Sequence, residues 1–336
     1  MGQVNNWHTI RRPCGEPDHK QAQKDTTMTV NMHLFEDLKQ NAAQAIRALV
    51  QNGAKIRNFA RGQMPDDDWF AKNALDCYAE MLHRRIAKRP REVRECNGFA
   101  CPDALLGEYM KIVEEIRRGD DLAARQTDRV ETIGSVDDLL NEWGIHHLHF
   151  SKRGENGWEK DMDELLYVFF TDDVAYIIAV GRHGDFCDSE MVAKLRDSYP
   201  ELFPHLKGAT PTAKRDKDTI KNMRKFHINQ VDILPNGAVS ALGGLSMDNG
   251  KSMYVYGKLC WYRRRLDRAE LIVRQKFQDV AQRLFPTRPD IYNKDEITLR
   301  LVSIDDNEIA MWNEDARLYV SLLDGSMKLG MEVCAE

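Results

Sequence analysis

Two apolar runs, 165–170 (LLYVFF) and 174–180 (VAYIIAV), stand only three residues apart and constrain this chain more than any other feature. The first is continuously apolar, as a strand buried on both faces requires. The second is rich in β-branched residues, and Thr171-Asp172-Asp173 between them is a polar turn, so the pair predicts a hairpin. Upstream, 145–150 (IHHLHF) alternates as a third strand. Ser135 and Asp138 form an S-x-x-D signature before Leu139 and Leu140, which predicts a short helix running into Trp143 and ending at Gly144. Downstream, Asp188 or Ser189 is placed to cap a helix through Met191, Val192, Leu195 and Tyr199, stopped at Pro200.

The remaining length needs other cores, because 336 residues exceed one ordinary domain. Residues 1–30 are polar and aperiodic and are expected to be a disordered tail. From Met32 to Gly119 three amphipathic helices are expected, the second opened by Asp66, Asp67 and Asp68, whose charge suits a helix N-terminus. The charged stretch 119–134 is expected to be a hinge and 206–225 a basic linker. Beyond it, strands are expected at 226–233, 238–242 and 253–256, a helix over 263–284, and a β-meander to the end. The expected fold class is α+β: a helical N-terminal unit (31–120), a small antiparallel-sheet α/β core (135–205), and a C-terminal β-rich unit (226–336) with one long helix.

Net charge of −5 gives no global attraction to nucleic acid or membrane, so any phosphate contact must be local. No apolar run approaches the ~20 residues of a membrane span. Seven scattered cysteines, of which Cys96 and Cys101 are the only close pair (C-x4-C) with no second pair to complete a zinc site, predict free thiols and a cytoplasmic protein. Neither a phosphate-binding glycine loop nor an acyl-transfer serine motif occurs, and no cofactor is expected.

Chemistry concentrates around the central strands. Side chains alternate along a strand, so His147 and His149 share one face and His146 the other. In an antiparallel meander the first and third strands run the same way, and their ends lie two strand spacings, about 10 Å, apart. That brings His149, Lys152 and Arg153 near Arg182 and His183. Imidazoles can exchange protons and Lys and Arg can stabilise a phosphate, which suffices for metal-independent RNA cleavage by an attacking 2′-hydroxyl. The candidate catalytic residues are therefore His149, His183 and Arg182, with Lys152 and Arg153 on the substrate. An alternative places a metal on His147, His149 and His183, since H-x-H on one strand face is a ligand spacing. A structural role for all of them is the third reading.

The order helix, His-bearing strand, basic loop, ELLYVFF, acidic turn and VAYIIAVGRH resembles the RelE/HigB-like ribonuclease toxins over residues 136–200. The resemblance implies RNA contacts by Arg182, His183, Lys152 and Arg153, RNA or the ribosome as target, and an antitoxin or other protein partner in a toxin–antitoxin or antiphage system. This chain departs from that pattern in being larger and acidic and in having no counterpart to the toxins' C-terminal catalytic residue. A scaffold with a RelE-like core therefore stays open beside the ribonuclease, as does a metal-dependent hydrolase. Arg263 and Arg264, next to Trp261 and Tyr262, are a further candidate RNA contact, against the alternative of a solvated helix face.

Overall fold

The computed structural model describes residues 28–154, 157–158, 163–203, 216–229, 232–233, 239–240, 244–323 and 328–334. In chain order the elements are β1 (Thr29–Asn31), α1 (Leu34–Gln51), α2 (Asp67–Arg84), β2 (Glu92–Glu95), α3 (Leu106–Arg118), α4 (Asp138–Trp143) and β3 (Ile145–His149). There follow β4 (Arg153–Gly154), β5 (Gly157–Trp158), β6 (Glu164–Phe170), β7 (Val174–Arg182), α5 (Glu190–Ser198), α6 (Lys217–Lys225), β8 (Asp232–Ile233) and β9 (Val239–Ser240). The chain closes with α7 (Met253–Leu284), α8 (Pro289–Tyr292), β10 (Glu296–Thr298), β11 (Arg300–Ile304), β12 (Glu308–Asn313), β13 (Leu318–Leu323) and β14 (Lys328–Val333). This is an α+β fold, helical towards the N-terminus and β-rich towards the C-terminus.

The central sheet has the strand order β2-β7-β6-β3, with β3, β6 and β7 antiparallel in turn as the hairpin reading predicts. Its fourth strand, β2, pairs in parallel with β7 and was not expected from sequence. Both faces are covered. Ile145, Leu165, Tyr167, Tyr176 and Ile178 pack with α4 and α5, while Leu148, Leu166, Val168, Ala175 and Ile177 pack with α3. Each such aliphatic side chain contributes about 1.5–3 kcal/mol by leaving water, and this is why LLYVFF carries no polar alternation. Gly119 ends α3 with φ 78°, and a Cβ there would stand 2.4 Å from the Pro90 nitrogen. Only glycine fits so close a pass against the segment that leads into β2.

Chain order and core membership diverge. The stretch 31–120, expected as one helical unit, is divided among three cores. Met32 and Leu34 join the α7 and β11–β14 core, α1 and α2 share a core with Ile133, and α3 covers the central sheet. The expected tail 1–30 loses its last residues to the fold, because β1 pairs in parallel with β10 and Met28 and Val30 are buried; residues 1–27 lie outside the described residues. The C-terminal meander β11-β12-β13-β14 forms as expected.

Four local expectations need correction. The part of the supposed linker at 217–225 is helix α6, capped by Asp216 accepting from the Thr219 N–H, with Ile220 and Arg224 buried; residues 206–215 lie outside the described residues. The expected strand at 253–256 is the first turn of α7, which Ser252 caps by accepting from the Val255 N–H. Of the strand expected at 226–233, Asp232–Ile233 is strand, paired with Val239–Ser240, and 226–229 is not; residues 230–231 lie outside the described residues. The cap of α4 is Asp137, accepting from Leu140, rather than Ser135. Among the described residues no helix is long and apolar enough to cross a membrane.

Candidate active site

A bulge decides the site. The register of β6 with β7 runs Phe169↔Tyr176 and Val168↔Ile177, then Tyr167↔Ala179 and Leu165↔Gly181, leaving Ile178 as an extra residue. An extra residue reverses the phase of every side chain beyond it. Ala179 and Gly181 therefore face the side that carries Tyr167 and Leu165, and His183 follows in the same phase. Across the sheet the register is His147↔Tyr167 and His149↔Leu165, so His147 and His149 occupy that face too. Without the bulge, position 183 would be in phase with the opposite face.

The turn after β7 is then pinned. The Tyr167 hydroxyl donates to the Arg182 carbonyl at 2.8 Å, and the Arg182 N–H donates to the Asp185 carboxylate at 2.8 Å. A Cβ on Gly181 would come within 2.8 Å of the Tyr167 ring, so this close approach depends on the missing side chain. The turn sets Phe186 with its ring centroid 5.2 Å from His147 and 6.0 Å from His183. The His149 and His183 centroids are 5.3 Å apart, and those of His147 and His149 6.0 Å apart. The expected convergence of His149 with His183 is met. His146 lies on the other face, its ring 5.6 Å from Phe170.

The three imidazoles differ in environment. His149 is 5% exposed, and burial first, then the neighbouring His147 and His183, lowers its pKa to about 4. It is therefore neutral at pH 7. Burial also lowers the His147 pKa, and its Nδ1 is buried with no hydrogen-bond partner among the described residues. His183 is half-exposed, and its Nδ1 lies 2.9 Å from the Asp163 carboxylate. A carboxylate at Nδ1 holds the proton on that nitrogen and leaves Nε2 as a base.

Of the expected phosphate-binding cations, Lys152, Arg153 and Arg182 are each paired with a carboxylate. Lys152 Nζ is 2.8 Å from Glu115, which is also held by the buried Arg125 at 2.5 Å and 3.0 Å. Arg153 pairs with Glu131 at 3.0 Å and Arg182 with Glu164 at 3.4 Å. Arg263 lies over the Phe35 ring at 5.0 Å, and Arg264 is exposed on the same stretch of α7; neither lines the site. The alternative metal set is also corrected. Among the described residues no three His, Cys, Asp or Glu side chains come together as a metal-holding group, the trio His147, His149 and His183 included.

What opens instead is a cleft of about 760 Å³ beside β3, an edge strand of the central sheet. Its walls are residues 126–130 and 136–139, His146 and His147, the turn residues His183, Gly184, Phe186 and Cys187, and α6. That volume is in the range of ligand sites. His183 and His147 line it, whereas His149 sits behind them. Arg224, 7% exposed, is fixed at its margin by Glu142 at 2.8 Å, by the Phe186 carbonyl and by the Trp143 ring. Asp163, Phe186 and Arg129 were missed from sequence, since nothing but the folded turn and cleft connects them to the histidines. Comparison with protein-family models, curated proteins and solved structures returns no match.

Proposed function

We propose that this chain is an RNA-binding effector that cleaves RNA by acid–base chemistry without a metal, with His183 as the catalytic base. The observation that carries this reading is a half-exposed imidazole in a ligand-sized cleft, oriented at Nδ1 by Asp163 with Nε2 left to act. In the step, His183 Nε2 takes the proton of a 2′-hydroxyl and the 2′-oxygen bonds to the adjacent phosphorus. The bond from phosphorus to the 5′-oxygen breaks, and that oxygen takes a proton from water, giving a 2′,3′-cyclic phosphate and a 5′-hydroxyl. His147 offers a neutral imidazole beside the reacting phosphate, and His149 and Phe186 hold the other two rings in place. Arg182, paired with Glu164, acts through its backbone in shaping the turn rather than as a phosphate ligand.

The test is incubation of the purified chain with single-stranded RNA in excess EDTA. Cleavage that persists in EDTA and falls about 10²–10⁴-fold in His183→Ala supports the reading. Intact RNA with wild-type protein, or full cleavage by His183→Ala, overturns it. Asp163→Asn should retain part of the activity, because it keeps a hydrogen-bonding atom at Nδ1 but loses the charge.

A further inference from the structure

The cations of this region fall into two sets, and only one is available to a ligand. Lys152, Arg153 and Arg182 are each within 4 Å of a carboxylate. Arg129, Lys221 and Lys225, by contrast, line the cleft, are exposed and form no ion pair among the described residues. Lys221 and Lys225 are four residues apart on α6, hence about 6 Å apart on one face. Lys217 continues that face but is held by Asp188 at 2.8 Å. Next to this stripe, Phe226 is 66% exposed, with Lys225 Nζ 5.8 Å from its ring. An exposed aromatic adjoining cations that line a groove is the arrangement that stacks a base and tracks a strand.

We infer that Arg129, Lys221 and Lys225 form the phosphate track of the cleft, with Phe226 as a base platform, and that the occupant is single-stranded RNA. This rests on the reading of the cleft as an RNA site. Four carboxylates share the cavity, and three have local tasks or surroundings that limit their repulsion. Asp137 caps α4, Asp128 accepts from the Thr127 hydroxyl, and burial raises the Asp138 pKa despite Arg224 and His227 nearby. Asp218 is the exposed exception, one turn before Lys221 and Asn222 on α6. A duplex is disfavoured because a flat base can reach the Phe226 ring only when unpaired.

The experiment is a binding titration of the full chain with a fluorescent RNA oligonucleotide whose 2′-hydroxyls are methylated, so that binding is read without cleavage. Each phosphate contact adds about 0.7 to the slope of log affinity against log salt for a single strand. Lys221→Ala and Lys225→Ala should each lower that slope by about 0.7, and Phe226→Ala should weaken binding about fivefold or more at fixed salt. Lys152→Ala with Arg153→Ala should leave both unchanged. Lys221, Lys225, Phe226 and Lys152 are exposed and Arg153 is only partly buried, so circular dichroism is expected to be the same for every variant. The inference is overturned if Arg129→Glu, Lys221→Glu and Lys225→Glu together bind like wild type, or if wild type does not bind. His183-dependent cleavage with unchanged affinity in that triple variant would refute the track alone. Track-dependent binding of methylated RNA without cleavage of ordinary RNA would refute the catalytic reading alone.

Discussion

The end of the central sheet and the α6 wall of the cleft carry comparable numbers of basic residues, yet they are different surfaces. At the sheet end the carboxylate partners come from distant sequence: Glu115 for Lys152, Glu131 for Arg153 and Glu164 for Arg182. On α6 the burial of Ile220 and Arg224 turns Lys221 and Lys225 outward, and neither forms an ion pair among the described residues. Basic residues in a sequence therefore give positive charge, but tertiary pairing decides whether a phosphate can use it.

The largest expected stability effect lies under the paired surface. Glu115 is buried, which raises its pKa, but hydrogen bonds from Arg125 and Lys152 outweigh this and the carboxyl ends below its ordinary value. Removing it in Glu115→Ala strands the Arg125 guanidinium and should cost about 3–5 kcal/mol in denaturant melts. Replacing only the exposed end of that network, in Lys152→Ala, should cost less than about 1 kcal/mol. Equal losses in the two variants would break the division drawn between buried and surface pairing.

An intermediate effect concerns pH. His149 has a folded pKa of about 4 against 6.5 for the free side chain. The unfolded chain therefore binds a proton first as pH falls, so this group's contribution is complete above pH 6.5 and is lost between about 6.5 and 4. The loss is on the order of 3 kcal/mol. His83 and His146, also lowered by burial, act in the same direction. His149→Gln should flatten part of that acid limb in melts taken from pH 7.5 to 4, and an unaltered limb would show that His149 is not buried neutral. The smallest effect is Arg182→Ala, a surface pair whose removal should change stability by less than about 1 kcal/mol. It should also leave RNA cleavage within a fewfold of wild type; a loss like that of His183→Ala would restore Arg182 as a catalytic residue.

The sheet was legible because its strands obey period two and its turns are short. Those rules alone separated His147 and His149 from His146 and brought His149 towards His183. The facing of His183 was not legible: it depends on one extra residue at Ile178, and nothing in the run YIIAV distinguishes a bulge from a straight strand. Helix α6 was missed because Ile220 and Met223 give little apolar pattern, and its stability comes from Arg224 buried against Glu142 and Trp143. Strand β2 (EVRE) is mostly exposed and exists by pairing with β7. Tertiary contact, in each case, overrode a weak local preference.

The most direct measurement is photo-cross-linking of RNA containing 4-thiouridine to the full chain, with the modified peptides identified by mass spectrometry. The cleft account predicts adducts within 183–187 and 217–228, Phe226 foremost. Adducts confined to the peptides holding Lys152 and Arg153, or Arg263 and Arg264, would contradict it.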